Sequence, residues 1–178
     1  MTVNEVYIKA GISSLPISPE ETAKRLGIKL VSYKTMTEIY DISMRGLYSK
    51  SRFGFSYIED GRFVIAVNEN SCGERRRRFT IAHEIAHCVL GHLSHEAKNT
   101  VENEREADRF AAELLAPVCV LRECGVSDAD EISRLCGISK AAAEISLRRV
   151  LSADKAPYAR EIIERFGGFI SRYRKISN

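Results

Sequence analysis

The chain has 178 residues, an apolar fraction of 44% and a formal net charge of +3. That length suits one compact domain with at most a small appendage, and the near balance of charge excludes a strong electrostatic footprint for nucleic acid. No apolar run approaches the ~18 residues of a membrane span, and the N-terminus has no basic-then-apolar secretion pattern, so a cytoplasmic protein without a membrane partner is expected.

Residues 18–27 read as a short helix started by Ser18 or Pro19 and ended by Gly27. Strand-like pieces follow at Lys29–Tyr33 and Gly46–Ser49. The clearest β signal is Phe53–Ile58, then Asp60-Gly61, then Phe63–Val67. Asp-Gly between two apolar runs predicts a hairpin, because the tight turn needs positive φ. Ser71-Cys72-Gly73-Glu74 has capping-box spacing and is expected to open a long helix that ends at Gly91. A second long helix is expected from about Asn99 to Leu115, stopped by Pro117. The remainder reads as helical, with breaks near Gly125, Gly137 and Gly167-Gly168. The predicted class is α+β: a small twisted sheet packed on the first long helix, then a helical C-terminal part. The expected division is a core over 1–117 and a helical subdomain over 118–178.

All four histidines fall between His83 and His95, and the first two spell His83-Glu84-Ile85-Ala86-His87. In a helix, positions i and i+4 share a face, so both imidazoles can grip one metal ion. Zinc is the ion that this H-E-x-x-H pattern suits, with Glu84 placed to act as general base on a water. A catalytic zinc usually takes a third protein ligand. The extended pattern H-E-x-x-H-x-x-G-x-x-H fails, since Leu90 and Leu93 occupy its glycine and histidine positions. On a helical wheel His92 faces away from His87, and His95 lies beyond Gly91.

The candidates that remain are on the second long helix. Stepping 100° per residue from Glu106, the apolar stripe Ala107, Phe110, Ala111, Leu114 and Leu115 spans roughly 40° to 180°. Glu104 falls inside that stripe, whereas Glu102, Glu106 and Glu113 fall outside it. A buried carboxylate needs a partner, which a metal would supply. Glu104 is therefore the expected third ligand and Glu106 the alternative. Asp108, one turn after Glu104, is placed to hydrogen-bond a ligand histidine. The competing reading is a charged helix whose glutamates are all solvated.

Two stretches carry a family resemblance. Residues 79–92, from Phe79 through His83-Glu84-Ile85-Ala86-His87 to His92, and residues 104–117, from Glu104 to Pro117, together resemble the ImmA/IrrE zinc metallopeptidases. The family's second motif reads roughly E-x-x-A-(N/D)-x-F-A-x-x-L-L-M-P. On this chain its glutamate is Glu104 and its Asn/Asp is Asp108; Ala116 stands where methionine is usual. The resemblance covers residues 18 to about 150 and is similar in ligand pattern to the gluzincins. It implies a zincin-like fold, His83, His87 and Glu104 as ligands, and a protein substrate. That substrate would be a helix-turn-helix, DNA-binding transcriptional repressor in a mobile-element or stress-response circuit.

Other features have plainer readings. Arg75–Arg78 is expected to be a solvated basic face, or else a hold for an acidic segment. Phe63–Val67 is either an edge strand able to pair with substrate or a structural strand. Residues 128–147 have a helix-turn-helix rhythm. From 127 onward, however, the chain carries ten Lys/Arg against seven Asp/Glu, so packing is favoured over DNA contact. The five cysteines form no C-x-x-C pair and read as reduced thiols, with Cys88, Cys119, Cys124 and Cys136 in the core. His92 and His95 either line the cleft or lie on plain surface. The sequence thus points to a zinc-dependent endopeptidase. The alternatives are a zinc-binding regulatory module that binds a partner without cutting it, or a zinc amidase.

Overall fold

The computed structural model describes residues 1–70, 73–94, 100–152 and 159–177. Its elements in chain order are α1 (Val3–Lys9), α2 (Pro19–Arg25), β1 (Lys29–Ser32), α3 (Tyr33–Tyr40), α4 (Met44–Lys50), β2 (Gly54–Glu59) and β3 (Arg62–Val67). They continue with α5 (Glu74–Leu90), α6 (Val101–Leu115), α7 (Val118–Cys124), α8 (Ala129–Cys136), α9 (Lys140–Leu151) and α10 (Ala159–Ser177). The class is α+β. The elements form two compact units, one of Met1 and Ser18–Ala111, the other of Thr2–Ile17 and Ala112–Asn178. No helix among the described residues is long and apolar enough to cross a membrane.

The first unit is built on a three-stranded sheet ordered β1-β3-β2, with β1 parallel and β2 antiparallel to β3. The expected hairpin is present. Asp60 (φ 48°) and Gly61 (φ 71°) both take positive φ, the backbone of a type I′ turn. Strand alternation divides the sheet's faces. Val64 and Ala66 of β3 pack with Tyr33, Met36 and Leu47, and Phe55 and Tyr57 of β2 lie against the same cluster. The opposite face of β2 carries Gly54 and Ser56, paired with Val67 and Ile65 of β3. That face packs on α5, which buries Ile81, Ala82, Ile85, Ala86 and Cys88.

Two local expectations are corrected and one open alternative is decided. Gly46–Ser49 is helical, in α4, because Ser43 caps the N–H of Gly46 and the segment is too short for period to decide. β3 lies between two partners, so Phe63–Val67 is not an edge strand. The cap of α5 is Gly73 without a side-chain bond. Ser71, the expected start of a capping box, lies outside the described residues, as does Asn99, the expected start of α6.

The second unit is helical. Thr2 and Glu5 make a reciprocal capping box that starts α1, an element absent from the sequence reading. Tyr7 of α1 is fully buried, and its hydroxyl donates to the carbonyls of Glu113 and Leu114 at 2.9 and 3.1 Å. Phe166 meets its ring edge-on with centroids 5.4 Å apart. Gly125 and Gly137 end α7 and α8 in left-handed conformations, as predicted. The expected break at Gly167-Gly168 does not occur. Ile162, Phe166 and Ile170 are buried at i, i+4 spacing along α10, which outweighs the ~1 kcal/mol each mid-helix glycine costs. The helix-turn-helix rhythm is real as α8 and α9, and both bury residues: Ile132 and Cys136, Ala143 and Val150. Cys88, Cys119, Cys124 and Cys136 are buried as thiols.

Gly54 sets the separation of sheet and helix. A Cβ there would stand 2.8 Å from Thr80 Cγ2 and 2.9 Å from the Ala66 carbonyl oxygen. Gly54→Ala is therefore expected to cost about 1–3 kcal/mol, read as a lowered urea midpoint. Adding Thr80→Ser should recover only part of that loss, because the Ala66 backbone cannot retreat. A gain in stability from Gly54→Ala would show that the approach is looser than the geometry states.

Candidate metal centre

The centre is assembled from two helices and one strand of the first unit. α5 supplies His83, Glu84 and His87 on adjoining faces, and α6 supplies Glu104 and Asp108. The Nε2 atoms of His83 and His87 are 3.0 Å apart. Glu104 reaches both, with Oε2 3.3 Å from His83 Nε2 and Oε1 3.6 Å from His87 Nε2. For ligands at about 2.0–2.1 Å in a tetrahedron, neighbouring donors stand roughly 3.3 Å apart. The triangle His83–His87–Glu104 has that size, so its donor set can hold one metal ion. Two imidazole nitrogens and a carboxylate aimed at one point repel each other unless a proton or cation lies between them.

Each histidine is fixed from behind. His83 Nδ1 lies 2.9 Å from Asp108 Oδ1, so it donates there and turns its Nε2 lone pair inward. His87 Nδ1 lies 3.1 Å from His92 Nδ1, and His92 Nε2 lies 3.3 Å from Glu106 Oε2. One proton pattern satisfies this chain with a neutral His92. Glu106 only accepts, so His92 carries its proton on Nε2 and accepts at Nδ1. His87 then donates from Nδ1 and also presents Nε2 inward.

This placement corrects the wheel argument for His92. Its ring does not face away, because α5 stops at Gly91 in a left-handed conformation (φ 83°). The chain folds back there, and the His92 N–H bonds the His87 carbonyl at 3.1 Å. Glu106 is engaged with His92 rather than with the triangle. Glu104 points to the centre as the arc argument required, but its side chain is 48% exposed. It lines an open cleft instead of being sealed in a core. His95 lies outside the described residues.

Glu84 is buried beside the triangle, and burial raises its pKa above the usual carboxylate range. Ser56 Oγ donates to Glu84 Oε2 at 2.7 Å, which moderates the rise. Ser56 was not singled out from sequence. The available signal was its place on β2, a polar residue opposite the face of Phe55 and Tyr57. Glu84, the triangle, Asp108 and His92 all line one cleft of about 530 Å³, with Ser56 and Gly54 along one side.

Burial, with the nearby His83 second, depresses His87 to about 4. Its native value therefore lies below that of the unfolded chain, near 6.5. Between those values the unfolded chain takes up a proton that native His87 refuses, so stability falls as pH falls. Urea unfolding of the metal-free protein and of His87→Gln should show this. The stability difference, wild type minus variant, is expected to decrease from about pH 6.5 to about pH 4 and then level off. A constant difference would mean that native His87 keeps its ordinary basicity.

No curated protein matches the chain. A peptidase family profile, described as the IrrE N-terminal-like domain, matches residues 23–148, well over half of the chain and inclusive of every residue of the centre. The chain belongs to this metallopeptidase family, the IrrE N-terminal-like domain peptidases.

Proposed function

We propose that this protein is a zinc-dependent endopeptidase in which His83, His87 and Glu104 hold the metal and Glu84 is the general base. The observation that carries the reading is the donor triangle of tetrahedral size with a buried carboxylate beside it. Two nitrogens and one carboxylate oxygen are a donor set that suits zinc. Zinc bound there would supply Lewis acidity toward a water and toward the carbonyl of the bond to be cut.

The chain's own groups do the proton work. Glu84 takes the proton of the attacking water. Its raised pKa lets it keep that proton and then deliver it to the departing amine nitrogen. Ser56 restricts the carboxylate to one orientation. β2 has β3 on one side only, so its other edge can pair with an extended substrate backbone. A helix-turn-helix repressor as the substrate rests on the family resemblance.

Incubation with a purified helix-turn-helix repressor is the direct test. Mass spectrometry should find one or a few cuts that stop with a chelator and return with zinc. Glu84→Gln should retain zinc and lose cleavage by ~10²–10⁴-fold or more. Wild-type rates in that variant would remove the proposed mechanism. Binding of the repressor without product, unaffected by Glu84→Gln, would favour the regulatory-module reading.

His92 offers a separate check on the ligands. His92→Ala should weaken zinc binding about 10–100-fold in a chelator competition, because His87 loses the partner that fixes its tautomer. Unchanged affinity would show that His87 needs no such partner.

A further inference from the structure

The cleft has a basic rim that the peptidase mechanism does not use. Arg76 Cζ lies 5.1 Å from the ring centre of Phe53, and Arg52 Cζ lies 5.6 Å from the same ring. Lys50 Nζ lies 4.4 Å over the ring of Phe55. Among the described residues none of these three cations is in an ion pair. Lys50, Phe53, Phe55 and Arg76 line the same cleft as Glu84 and the donor triangle. The cleft's carboxylates, Glu84, Glu104 and Asp108, all belong to the catalytic group. Outside that group the cleft's charge is positive.

A cation stacked on a ring is held in place while its N–H edge stays open. A guanidinium fixed in this way loses little entropy on gripping a carboxylate with two parallel hydrogen bonds. The rim is thus prepared for an acidic group, and the fold sets the group's distance from the centre. Gly54 lies against Thr80, and Ser56 bonds Glu84. Two strand residues advance with four helix residues, about 7 Å against about 6 Å, so β2 and α5 run side by side in the same direction. Arg76 precedes His83 by seven residues, about 10 Å along the axis. An extended peptide on the edge of β2 covers that distance in about three residues.

We propose that the cleft selects a peptide segment with an acidic side chain about three residues from the bond that is cut. Arg76 stacked on Phe53 grips it, and Lys50 on Phe55 supplies a second cation at the flank of β2. The proposal deepens the peptidase reading and rests on it for the position of the cut.

Binding tests it apart from cleavage. Fluorescent extended peptides, identical but for Asp, Asn or Lys at one position, are titrated into zinc-loaded Glu84→Gln protein. The Asp peptide is expected to bind roughly ten-fold tighter than the Asn peptide. Arg76→Gln should remove most of that advantage and leave the Asn peptide unchanged, and Arg76→Glu should turn the preference toward Lys. Arg76 is exposed in the first turn of α5, so these changes do not threaten the fold. Equal binding of the Asp and Asn peptides overturns the proposal, as does failure of all three to bind. So does an Asp advantage that survives in the Lys50→Gln, Arg76→Gln double variant. The intact enzyme is also given a random peptide library. Cuts without an acidic preference overturn the proposal and leave the peptidase reading standing. An Asp preference in binding with no cut in the library counts against the peptidase reading and supports the rim.

Discussion

The cleft depends on how closely β2 approaches α5. At Gly54 the strand comes within a Cβ's reach of Thr80 and of its own neighbour's carbonyl at Ala66, a contact that no other residue type allows without displacement. Strand alternation then carries that closeness two residues on, to Ser56, whose hydroxyl meets the buried Glu84. A wider gap would leave Glu84 without its partner and open its pocket to water. The missing side chain at one position is thus what gives another position its hydrogen bond. The apolar cluster of Tyr33, Met36, Leu47, Val64 and Ala66 on the far face keeps the sheet from yielding.

Much of this was legible in the chain because its causes are local. The i, i+4 histidines, the Asp60-Gly61 turn, and the left-handed glycines at 91, 125 and 137 each act within a few residues. The direction of Glu104 was also legible, because helical phase is fixed by a stripe of five apolar residues. Its exposure was not, since a wheel shows which way a side chain points but not whether anything covers it. Ser56 was missed, and His92 left open between cleft and surface, for a related reason. One needs the pairing of β2 with a helix far along the chain. The other needs the reversal at Gly91, after which helical phase no longer applies. The helix at Met44–Lys50 and the uninterrupted α10 were decided by a cap and by burial, both of which override weak local preference.

Three carboxylates line the cleft and a fourth, Glu106, stands beside it at His92, and their surroundings set them apart. Glu84 is buried, held by Ser56 and raised in pKa, an environment that suits proton exchange. Glu104 and Asp108 are about half exposed, and each faces an imidazole nitrogen. Glu106 is turned aside to His92. A helix with acidic residues at 102, 104 and 106 therefore sends Glu104 and Glu106 to different histidines, because successive even positions differ by ~200° in direction.

The end of α5 has a further consequence. His92 touches the His87 ring only while the turn at Gly91 is closed, and the same turn is held by the bond from the His92 amide to the His87 carbonyl. Helix ends fray on far shorter timescales than whole domains unfold. Each fraying event here breaks the backbone bond and strips His87 of its outer partner at once. An ion held at the centre would therefore lose the outer partner of one of its histidines whenever this single turn opens.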